Sequence, residues 1–135
     1  MANALYDKGR EAFLNGQIDW LNDDIRVILV DSADYAVNLA THNFLDDVGV
    51  AARVAVSSSL LSKTSTDGVA DAADISFTMV TGDPSEALII YKHTGTESTS
   101  NLIAYIDTAT GIPITPANQT ISVQWDNGAN KIFKL

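Results

Sequence analysis

The chain contains no cysteine. Disulfides, thiolate metal sites and cysteine nucleophiles are therefore excluded, and the composition suits a reducing compartment. Histidine is scarce, with His42 and His93 alone. Cations are also few: 8 Lys and Arg stand against 17 Asp and Glu, a formal net charge of -9. Lys8, Arg10, Arg26, Arg53, Lys63, Lys92, Lys131 and Lys134 are scattered along the sequence. A phosphate-binding surface needs clustered cations, so no nucleic-acid partner is expected. No apolar run approaches the ~20 residues a membrane helix requires, so no membrane partner is expected either. The start lacks a basic segment followed by an apolar one, and no signal peptide is expected.

The 135 residues suffice for one domain, 1–135. A domain of this size buries roughly two-thirds of the surface its unfolded chain exposes. Residues 1–16 read as a helical arm. Leu5, Tyr6, Gly9, Ala12 and Phe13 recur at helical spacing, with Asn3 as N-cap and Asn15-Gly16 as the stop. Residues 17–135 read as strands. Gln17–Trp20 is a candidate short strand and Asn22-Asp23-Asp24 a turn. Ile25–Val30 is apolar on both faces, which places it centrally in a sheet. One helical turn is expected over Thr41–Val48, with Thr41 as cap and Phe44, Leu45 and Val48 inward.

Further strands are expected at Arg53–Ser57, Leu60–Thr66, Val69–Ala72, Ala87–Tyr91, Leu102–Ile106 and Lys131–Leu135. Ile75, Phe77 and Met79 alternate with polar residues, as do Ile121, Val123 and Trp125. Asp67-Gly68, Gly82-Asp83-Pro84 and Asp126-Asn127-Gly128 are turn signals, and Gly111, Pro113 and Pro116 break the chain. About eight strands at such spacing predict a mainly-β fold, an antiparallel, jelly-roll-like β-sandwich.

Catalytic or metal chemistry has little support. His42 and Asp46 at i, i+4 are two ligands where several must converge. Asp23-Asp24, Asp46-Asp47 and Asp71 with Asp74 pair carboxylates, but neighbours on one strand or turn point apart and make no acid–base cleft. Asp126–Asn130 lacks the bidentate glutamate of a calcium loop and reads as a hairpin turn. Ser57-Ser58-Ser59 has no glycine elbow or paired base. No enzyme activity, cofactor or metal is expected. The aromatic and apolar residues are weighed between core and contact surface. Trp125 reads as core, while Leu5, Tyr6, Phe13, Trp20, Tyr35 and Phe44 are candidate interface residues.

The order of segments is itself informative. It runs "ALYDKGREAFLNGQIDW", "IRVILVDSADY", "THNFLDDV", "ALIIYKHTG", "NLIAYID" and "ISVQWDNGANKIFKL". It resembles a family of small tailed-bacteriophage virion proteins across nearly the whole chain. His93 departs from it, standing where the family pattern more often has an acidic residue. The resemblance implies a virion structural protein, a capsid decoration (cement) protein binding the major capsid protein at the outer shell, and a homo-oligomer. A tail, neck or fibre-associated adaptor, and a glycan- or receptor-binding module, are the alternatives. An acidic exterior would suit the face away from packaged DNA.

Overall fold

The computed structural model describes residues 3–109, 112–129 and 131–135. Met1, Ala2, Gly111 and Asn130 of the readings above lie outside them. Among the described residues, nine short strands and one α-helix appear in chain order: β1 (Ala4–Leu5), α1 (Asp7–Leu14), β2 (Ile25–Val30), β3 (Arg53–Val56), β4 (Val69–Ala70), β5 (Ile75–Val80), β6 (Ala87–Lys92), β7 (Leu102–Ile106), β8 (Gln119–Val123) and β9 (Phe133–Lys134). All pairings are antiparallel. The fold is mainly β, as expected. The strands divide into a five-stranded sheet of order β1-β7-β6-β2-β3 and two ribbons, β4-β9 and β5-β8. A jelly roll would instead split them into two sheets of similar size.

The central strands are apolar apart from Arg26 of β2 and Lys92 at the end of β6, because both sheet faces are covered. Val27 and Leu29 of β2, Leu88 and Ile90 of β6, and Ile103 and Ile106 of β7 face one core. There they meet Phe77 and Val80 of β5, Ile121 and Val123 of β8, and both tryptophans. The alternate residues Ile28, Val30, Ile89, Leu102 and Tyr105 face a second core. In β2 and β6 this two-residue alternation is the pleat expressed in packing. In β7 it is interrupted at Ile103, where the register with β6 shifts. The second face is covered by Tyr35, Leu45, Val48 and Ala52 from the irregular segment between β2 and β3. Two 3-10 turns, Leu45–Asp47 and Val50–Ala52, shape that cover. Arg53 fastens it: Nε donates to the Val48 carbonyl at 2.9 Å, and Nη2 donates to the Leu45 carbonyl at 3.0 Å and to Glu97 at 2.7 Å.

Several local expectations differ from the structure. Ala4 and Leu5 pair with Tyr105 and Ala104 instead of starting the helix. Tyr6 is the residue before α1, so Asn3 is no N-cap. The Asn3 side chain accepts the Asp107 and Thr108 N–H groups, each at 3.0 Å. The helix ends as expected, with Gly16 at φ +72°. Gln17–Trp20 forms no strand. The Asp19 carboxylate accepts the Leu21 N–H at 3.1 Å and turns the chain. Phe44, not Thr41, stands at the cap of the Leu45–Asp47 turn, and the Asp47 carboxylate reaches back to accept the Asn43 and Phe44 N–H groups at 2.7 and 3.2 Å. Leu60–Thr66 forms no strand; it makes the isolated Thr64–Asp71 bridge, and the Leu60 N–H donates to the Ile25 carbonyl at 2.8 Å. In β5 the register slips between Phe77 and Val80, so Met79 turns outward and Val80 inward.

Candidate interaction surface

Four of the six residues expected at an interface serve the chain's own core. Leu5, Tyr6, Trp20 and Tyr35 are all buried. The Trp20 indole N–H donates to the Asp71 carbonyl at 3.3 Å, which anchors the turn after α1 to the ribbon side of the molecule. Phe13 and Phe44 keep some ring surface exposed. Sequence spacing marked these six as apolar but could not say which side of the surface they occupy.

Val50, Val56, Leu61 and Met79 are exposed singly, and a walled apolar surface lies where α1, the following turn and β9 meet. Phe133 of β9 stacks edge-on against Trp20 at 5.3 Å and tilted against Phe13 at 6.0 Å. These rings wall an open groove of about 420 Å³, completed by Ile18, Leu21, Ala70 and Leu135. Leu135 and Leu21 are 59% and 48% exposed. Leu14, at the end of α1, is 88% exposed. Leu21 and Leu135 line the groove, whereas Leu14 is exposed on the polar side of α1. Exposed leucines beside an aromatic-walled groove mark a candidate association surface. Leu14, Leu21, Phe133 and Leu135 were not singled out in the sequence, though Leu14 closes the helix pattern on its polar side.

The charged groups that meet each other do so in pairs and hydrogen bonds. Arg26 grips Asp24 through two donors at 3.0 and 2.9 Å, and Ser59 also donates to that carboxylate. The hydrogen bond from Arg26 chiefly holds the Asp24 carboxyl below its usual range. Lys63 donates to the Asp23 carbonyl, and burial lowers the Lys63 ammonium. Arg53 holds the Glu97 carboxyl down in the same manner as Arg26 holds Asp24. Such groups stabilise loops and leave little lone-pair capacity for a ligand.

The His42 metal reading gains no support. Its Nδ1 lies 2.7 Å from the Tyr35 hydroxyl and 3.3 Å from the Asn38 N–H. The Asn38 N–H can only donate, so that nitrogen accepts and its lone pair is engaged within the chain. Tyr35 in turn lies 2.9 Å from the Tyr6 hydroxyl. Asp31, Asp34 and Asp83 bring carboxylate oxygens within 4.8 Å of one another. Asp31 is the buried member and already accepts the Ala33 N–H at 2.9 Å. Among the described residues no helix is long and apolar enough to cross a membrane.

No protein-family model matches the chain, and no curated protein matches it.

Proposed function

We propose that this chain is a structural protein of a tailed-bacteriophage virion, a capsid decoration protein that holds neighbouring capsid subunits from the outer surface. It acts by contact and not by catalysis. The observation that supports this reading is the Phe13–Phe133–Trp20 groove with the exposed Leu21 and Leu135 in its wall. The order of the six sequence segments supports the virion setting. Burying one such leucine against a neighbour contributes about 1.5–3 kcal/mol. A few contacts of that size are enough when many copies bind a repeating shell.

Quantitative mass spectrometry of gradient-purified particles tests the reading. Hundreds of copies per particle are expected for a shell protein. A dozen or fewer would move it to the tail or neck, and absence would overturn the virion assignment.

A further inference from the structure

Cations that are far apart in sequence are close together in the fold. Arg10 of α1, Lys131 and Lys134 line one cavity of about 330 Å³, with Asp126 the only carboxylate in its wall. These are three of the chain's eight Lys and Arg residues. Arg10 is held by Asp7 at 3.1 Å on the exposed helix face. Lys131 and Lys134 have no carboxylate partner among the described residues. The Asp126 carboxylate is partly engaged, because Oδ1 accepts the Gly128 N–H at 2.9 Å. Lys131 also has φ +47°, a backbone state that costs energy for a residue with a side chain.

The cavity adjoins the apolar groove. Phe133 walls both, and α1 supplies Arg10 to one and Phe13 to the other. We propose that this face binds a partner segment carrying an acidic side chain beside an apolar one, the carboxylate entering the Arg10–Lys131–Lys134 cavity and the apolar group the Phe13–Phe133 groove. The proposal rests on the reading of this face as a protein contact and names the chemistry of the occupant. Charge complementarity favours it: Lys131 and Lys134, without a carboxylate partner among the described residues, stand together on a chain of net charge -9. A nucleic-acid strand would run past the cavity into that acidic excess and be repelled, whereas one carboxylate ends inside it.

Two-dimensional amide NMR of the intact chain tests this. The probe is the peptide acetyl-Leu-Glu-Leu-Glu-Leu-amide, with its Glu-to-Gln counterpart and a single-stranded DNA oligonucleotide as the other arms. The acidic peptide is expected to shift the amides of Arg10, Lys131, Phe133 and Lys134. The Gln peptide is expected to bind roughly three- to tenfold more weakly, the range for one or two exposed ion pairs. The Lys131→Glu and Lys134→Glu double variant, with an unchanged melting temperature, is expected to lose the preference. Equal binding of both peptides, no shift at these residues, or tighter binding of the oligonucleotide would overturn the proposal. None of these outcomes depends on copy number in particles, so the virion reading stands or falls separately.

Discussion

The hydroxyl of Tyr6 lies 2.9 Å from the hydroxyl of Tyr35, and Tyr35 lies 2.7 Å from His42 Nδ1. Because Nδ1 accepts, the chain of donors has one direction: Tyr6 donates to Tyr35, and Tyr35 donates to His42. It ties the residue before α1 to the segment that covers the second core. Tyr6 is fully buried, so its proton needs the Tyr35 oxygen.

Tyr35→Phe leaves the Tyr6 hydroxyl buried without that acceptor and is expected to cost about 1–3 kcal/mol in urea unfolding. Tyr6→Phe removes a donor but leaves Tyr35 bonded to His42. It is expected to cost less, about 0.5–1.5 kcal/mol. An equal or reversed order would contradict the direction of the chain.

The same pair sets an alkaline limit. Burial pushes the Tyr35 hydroxyl from the ordinary 10.0 up to about 12, and burial also raises Tyr6. Below pH 10.0 both states keep the proton, and this contribution to stability is fully present. As pH rises from there through about 12, the unfolded chain ionises first and stability falls. Urea midpoints measured across that range should drop for the wild type, and less steeply for Tyr35→Phe.

Acid acts on a different element. The Arg26 hydrogen bond lowers the Asp24 carboxyl, so its contribution is present above the ordinary carboxylate value and is lost as pH falls through the folded one. Asp24→Asn should reduce stability near neutrality and flatten the acid limb of the pH–stability curve. An acid limb identical to wild type would remove Asp24 from the account.

Gly9 is expected to resist the substitution that helix propensity favours. Alanine normally stabilises a helix interior by about 1 kcal/mol over glycine. Here a Cβ at Gly9 would lie 2.6 Å from the Leu102 carbonyl oxygen and 3.1 Å from Ile103 Cα, both backbone atoms of β7. Gly9→Ala should therefore destabilise by about 1–3 kcal/mol, the range for overpacking, in thermal or urea melts. A gain in stability would show that α1 does not dock so closely on β7.

Core and surface apolar residues should part company. Leu14→Ser is expected to change stability by no more than about 0.5 kcal/mol, because Leu14 is mostly exposed. Phe77→Ala, in the first core, is expected to cost about 3–5 kcal/mol.

The central strands were legible because β2, β6 and β7 are apolar on both faces and their ends carry turn residues. The first core was legible in part for the same reason: Trp125 and Phe77 sit in alternating segments. Other features depend on partners distant in sequence. Leu5 and Tyr6 fit a helical spacing, yet pairing of Ala4 and Leu5 with β7 extends the chain before the helix begins. Met79 fits the alternation of β5 until the register slip turns it outward. The contact surface was least legible. Trp20 is core because the Asp71 carbonyl, 51 residues away, receives its N–H. Arg10, Lys131 and Lys134 are scattered in sequence and share a cavity only once β9 lies beside α1.

A density map of the intact particle is decisive. This chain is expected on the outer shell, with Leu21, Phe133 and Leu135 buried against a neighbouring subunit. A particle map in which the chain is present but that face is open to solvent, or in which no density fits the chain, would contradict it.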